Sequence, residues 1–114
     1  MTWPVMARAL FWLALAFTLV MALLPQPPAL PGTLSDKVLH VIAFAVLTLL
    51  AALAYPERRL GEVFLAMAAL GALIEVVQLI PHLGRDAEWA DWLADCGAVL
   101  AVLALVRVSR RMAG

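Results

Sequence analysis

Four stretches of this chain, residues 3–24, 36–55, 60–80 and 88–108, are long and apolar, and they restrict the possible folds more than any other feature. A helix needs about 20 mainly apolar residues to cross the hydrocarbon core of a bilayer. Each stretch meets that length once a few interior polar residues are allowed. Hydrophobic residues make up 66% of the 114 and charged residues 14%, whereas a water-soluble domain has roughly 45–50% and about 25%. A short chain with so little polar surface cannot cover its core in water. The formal net charge is zero, and no Lys/Arg cluster interleaves with aromatics, which excludes a basic nucleic-acid binder and a disordered tail. Cys96 is the single cysteine, so neither an intramolecular disulfide framework nor a cysteine-based zinc site can form.

The links between stretches, 25–34, 56–59 and 82–87, are short. Short links make sequential helices antiparallel neighbours, so the expected fold is all-α: one four-helix transmembrane bundle over residues 1–114. Arg8 followed by an apolar run resembles a secretory leader. However, the run is longer than a usual leader core, and prolines at 25, 27 and 28 stand where small cleavage-site residues belong, so a retained first helix is expected. Basic residues set the orientation. Arg8, Arg58, Arg59, Arg107, Arg110 and Arg111 fall on one side of a four-span bundle, and Lys37 and Arg85 on the other, so both termini are expected in the cytoplasm. Arg107 and Arg110 also suit the negative end of their own helix. Trp3, Tyr55, Trp89 and Trp92 lie near span ends, where amphipathic rings anchor at headgroup level.

This threading sends the remaining ionisable groups toward the outer face. Lys37, His40, Phe44 and Thr48 share one face of the second span through i+3 and i+4 spacing. Gly71, Glu75, Gln78 and His82 share a face of the third, and Glu88, Asp91, Asp95, Ala98 and Val102 a face of the fourth. Beside this last stripe run Ala94, Gly97 and Ala101, small enough for close helix approach in lipid. Three polar stripes at one depth imply an outward-opening pocket. Asp36, Asp86 and Glu88 are read first as helix N-terminal caps, and Asp91 is divided between capping and function. His82 sits in a Pro-His-Leu-Gly turn and is expected in solvent, Gln78 also suits a bond between helices, and Cys96 is read as an inert small residue. Glu75 and Asp95 stand apart, because ionisable groups inside a span are costly and usually mark a site.

These residues resemble the VanZ-like family of small bacterial membrane proteins, named after a teicoplanin-resistance accessory protein. The resemblance lies in Asp36-Lys37-Val38-Leu39-His40 with Phe44, then Gly71-Ala72-Leu73-Ile74-Glu75-Val76-Val77-Gln78, Gly84-Arg85, and Asp91-Trp92-Leu93-Ala94-Asp95-Cys96-Gly97. It covers residues 35–100, and the remaining span fits the family's four-helix plan. Asp95 departs from the family pattern, where Asn is common; a titratable group replaces an uncharged donor and acceptor. The resemblance implies a multi-pass protein of the bacterial cytoplasmic membrane, acting near lipid-exposed cell-wall precursors or on how a glycopeptide meets the cell surface.

The site residues expected on this basis are Glu75, Asp91, Asp95 and His40 as candidate acid/base groups, with Lys37, Arg85 and Gln78 as ligand-binding groups. The ligand class is an envelope-side, lipid-linked or glycopeptide-like molecule, and the proline-rich segment 25–32 would edge the mouth of the pocket. The chain has no nucleophile motif, Gly-rich phosphate loop or HExxH, so no cofactor is expected and enzymatic activity is left undecided. His40, Glu75, His82, Asp91 and Asp95 are ligand types that suit zinc or manganese, but no paired-histidine spacing supports a metal, and none is assigned. A proton-coupled carrier would need polar groups through both halves of the bundle, and the cytoplasmic half is nearly all Ala, Leu, Val and Phe. The alternative from another class is a structural or assembly partner of a larger envelope complex, its polar cluster holding helices in register.

Overall fold

The computed structural model describes residues 2–24, 36–79 and 89–113. His82, Arg85, Asp86, Glu88 and the segment 25–32 lie outside the described residues, as do the side chains of Asp36 and Lys37. Four helices account for nearly all of the rest: α1 (Trp3–Leu23), α2 (Asp36–Ala54), α3 (Leu60–Val77) and α4 (Trp89–Ala113), with no strand among the described residues.

Local chemistry explains the boundaries. Proline in the first turn of α1 fixes a helical φ where its missing N–H would have had no partner. Leu24 and Tyr55 each precede a proline, which disfavours helical geometry at the residue before it; Leu24 is extended and α2 stops at Ala54. At the start of α3, Arg59 is extended and gives no side-chain cap, while Glu62 in the first turn complements the positive helix end. The expected spans agree at their starts to within one residue. The third ends earlier, at Val77, and the fourth runs on to Ala113.

α1, α3 and α4 are long and apolar enough to cross a membrane. The apolar part of α2, Val38–Ala54, is shorter. Large apolar side chains cover the outside: Leu13, Phe17, Leu65 and Leu105 are between 67% and 69% exposed. An apolar surface on this scale is a liability in water and suits a hydrocarbon surround. The buried core is small, built from Phe11, Phe44, Leu47, Ala51, Met67, Ile74, Val99 and Leu103.

Interhelical contacts define the direction of each helix. Arg8 at the start of α1 and Arg110 at the end of α4 both reach the end of α2, whereas Gln78, just after α3, reaches Ala22 near the end of α1. α1 and α3 therefore run one way, α2 and α4 the other. The expected alternation holds, but the expected neighbours do not all pack. α2 packs extensively on α1 and α4, and α3 on α4, while α2 and α3 touch only sparsely despite their short link. A link of that length brings the two ends together without forcing the helices to share a face.

The end of α2 is capped by other helices. The last four carbonyls of a helix lack partners within it. Here the Tyr55 N–H donates to the Ala51 oxygen, Arg110 Nη2 to Ala52 at 3.1 Å, and Arg8 Nε to Ala54 at 2.9 Å. Two guanidinium charges also meet the negative end of the α2 dipole. Arg110 thus complements α2 as well as lying in the last turn of its own helix. Arg8 further contacts Glu57 at 4.0 Å and lies 4.9 Å from the centre of the Tyr55 ring, whose hydroxyl accepts from Trp12 Nε1.

Candidate functional site

Away from this arginine-rich end, the buried polar stripes of three helices converge. His40 in the second turn of α2, Glu75 near the end of α3 and Asp95 in the second turn of α4 each bring a ligand-type atom within 4.8 Å of the other two. His40 and Ala54 are separated along α2 by about 21 Å, so the cluster occupies the opposite half of the bundle from the arginines. Glu75 and Asp95 are 5% and 3% exposed, and His40 is half-buried. Among the described residues, the buried Oδ1 of Asp95 has no hydrogen-bond partner.

The surroundings are apolar and tightly packed. Phe44, one turn along α2 from His40, is fully buried, and its ring lies 3.5 Å from where a Cβ would stand on Gly71. That position is also 3.1 Å from Trp92 Cδ1, so the missing side chain at residue 71 eases the close packing of Trp92 of α4 on α3. The Trp92 indole N–H donates to the Ala68 oxygen of α3 at 2.9 Å. Trp92 is therefore a tie between helices, one turn from Asp95, and this contact adds to the end-anchor role expected of it. The residue that allows close helix approach is Gly71, not Gly97. A Cβ on Gly97 would meet nothing within 4 Å, and Gly97 and Ala101 are exposed.

The remaining expected site residues fall into three groups. Asp91 is half-buried on the same face of α4 as Asp95, one turn earlier, and does not join the three-residue cluster. Gln78 is buried, and its Nε2 donates at 2.9 Å to the Ala22 oxygen, one of the terminal carbonyls of α1. That bond assigns Gln78 to holding α1 against α3. Thr48, fully buried, donates to the Phe44 oxygen at 2.6 Å within its own helix. Lys37 and Arg85, the expected ligand-binding cations, lie outside the residues whose side chains are described.

A cleft of about 370 Å³ opens at the other end of the bundle, between α1 and α3, lined by Phe11, Trp12, Tyr55, Arg58, Glu62 and Met67 among others. Nothing in the sequence signalled it, because its walls are apolar residues of the kind that fill a core. Its charged members, Arg58 and Glu62, already pair with each other at 3.4 Å. The polar cluster and this cleft therefore lie at different ends, and the polar cluster is the candidate site on the strength of its buried titratable groups.

No protein-family model matches the chain, and no curated protein or solved structure matches it either.

Proposed function

We propose that this chain is a VanZ-like protein of a bacterial cytoplasmic membrane, with its arginine-rich end in the cytoplasm and the His40–Glu75–Asp95 cluster in the outer half of the bundle. In this reading the cluster binds an envelope-side ligand, a lipid-linked or cell-wall-related molecule, and thereby alters how the cell responds to glycopeptide antibiotics. The observation that carries the proposal is the convergence of His40, Glu75 and Asp95 from three helices. Gln78 and Trp92 already tie α3 to α1 and to α4 through backbone oxygens, so those ties do not need the cluster. Buried carboxylates brought together beyond that need are a cost to the fold, and function is the usual reason it is kept.

Orientation is supported by the grouping of Arg8, Arg58, Arg59, Arg107, Arg110 and Arg111 at one end, because such an excess of basic residues stays on the cytoplasmic side. An acidic, partly apolar site in the outer half is then reached from the envelope side. His40, Glu75 and Asp95 supply groups that accept or donate protons to a bound ligand.

The test is complementation in the host bacterium lacking its own copy, with glycopeptide susceptibility as the readout and protein levels in the membrane measured alongside. His40→Gln, Glu75→Gln and Asp95→Asn are each expected to lose the wild-type phenotype at wild-type protein levels, while Gly97→Ala retains it. Full complementation by all three site variants would overturn the proposal.

A further inference from the structure

We propose that His40, Glu75 and Asp95 together hold one zinc ion. One nitrogen and two carboxylate oxygens, drawn from α2, α3 and α4, lie within 4.8 Å of one another. Imidazole nitrogen with carboxylate oxygen is a donor set that zinc accepts, whereas magnesium and calcium favour oxygen alone. The unpartnered Oδ1 of Asp95, on a residue only 3% exposed, is the second and independent sign. A buried carboxylate oxygen without a hydrogen bond is rare in a folded protein, and a metal bond supplies what is missing. A dication also suits two carboxylates gathered in a low-dielectric interior.

The geometry needs only a small contraction. Zinc bonds to nitrogen and oxygen are about 2.0–2.2 Å long, and the centre of a triangle with 4.8 Å edges lies about 2.8 Å from each corner. Because 4.8 Å is the upper limit of the separations, each ligand atom moves inward by at most about 0.8 Å, within the reach of small side-chain torsions. Three protein ligands leave the fourth position of a tetrahedral zinc open, the pattern of zinc sites that act on a substrate. That position takes water or an anionic oxygen of the envelope-side ligand. This last role rests on the function proposed above, whereas the metal site rests on the cluster's geometry and on the Asp95 oxygen.

The experiment uses the full chain in lipid nanodiscs with Cys96→Ala to remove the thiol, stripped by a chelator and titrated with zinc against a chromogenic competitor. One zinc per chain is expected, with a melting temperature that rises as free zinc rises. Asp95→Asn and His40→Gln are each expected to weaken zinc binding by at least about tenfold. Stripped protein that takes up no saturable zinc and gains no thermal stability from it would overturn the proposal, and that measurement needs no site variant to fold. Variants that bind zinc as tightly as the parent would overturn it equally. Complementation and zinc binding are separate readouts: a chain that binds zinc without an envelope phenotype refutes only the function, and the converse refutes only the metal.

Discussion

Trp92 on α4 donates its indole N–H to the Ala68 oxygen of α3 at 2.9 Å, which holds the ring close beside Gly71 and makes a side chain there a tight fit. A methyl group at position 71 would stand 3.1 Å from Trp92 Cδ1, and the hydrogen bond prevents the ring from retreating freely. Gly71→Ala is therefore expected to destabilise by about 1 kcal/mol, the overpacking cost exceeding the helix-propensity gain of alanine. Gly97→Ala, with open space around it, is expected to be neutral or stabilising by up to about 1 kcal/mol. Thermal unfolding in detergent compares the pair directly. In a Trp92→Phe background the ring loses its anchor, and the penalty of Gly71→Ala should shrink by at least about 0.5 kcal/mol.

Gln78 separates structural polarity from functional polarity. Gln78→Leu leaves the Ala22 carbonyl at the end of α1 without its partner and should cost about 1 kcal/mol. Zinc affinity should stay within about twofold of the parent, because the proposed ligands are His40, Glu75 and Asp95 and Gln78 Nε2 is spent on the Ala22 oxygen. A large loss of zinc binding in Gln78→Leu with unchanged stability would reverse the assignment.

Asp95 should show the opposite pattern. Replacing it by leucine removes a buried oxygen that lacks a hydrogen bond and fills the space with apolar atoms. Asp95→Leu is expected to raise the stability of the metal-free protein by about 1–3 kcal/mol while abolishing zinc binding. Unfolding measured with and without zinc distinguishes this trade from simple damage: the parent responds to zinc and the variant does not.

The arginines at the far end make a third kind of contact. Arg8→Gln and Arg110→Gln each withdraw a charged donor from a terminal carbonyl of α2, Ala54 and Ala52 respectively. Each should cost about 0.5–1 kcal/mol and speed amide exchange in the last turn of α2, with the double variant frayed further than either alone.

Much of this molecule was legible in its sequence because helices announce themselves locally. Proline at positions 25 and 56 stands where the first two helices stop, and the apolar runs place the start of each helix to within a residue but not the ends of α3 and α4. The polar faces followed from helical spacing, and His40, Glu75 and Asp95 do turn inward as that spacing implied. What spacing could not give was the order of packing around the bundle. α2 and α3 are joined by a few residues yet share far less surface than α2 shares with α1 or α4, so the partner of each face depended on tertiary geometry. The same limit kept spacing from selecting His40, Glu75 and Asp95 out of the five residues of metal-ligand type, because the three come from different helices and leave no linear motif. The small-residue stripe at Gly97 was misleading for a related reason: in lipid, glycine marks close approach only when another helix faces it, and here that glycine is Gly71. Gln78 carried a signal that fitted a ligand and a helix tie equally, and only the Ala22 oxygen decided between them.

The proposed function requires the polar cluster to lie in the outer half of a membrane bundle, within reach of the envelope side. Cysteine labelling in intact cells tests it most directly, with a small charged thiol reagent that does not cross membranes and a Cys96→Ala background. His40→Cys, at the half-buried edge of the cluster, should be modified from outside, while Arg58→Cys in the exposed α2–α3 link is modified only after the membrane is permeabilised. Labelling of Arg58→Cys from outside, or a His40→Cys thiol that reacts only from the cytoplasmic side or from neither side, would contradict the account.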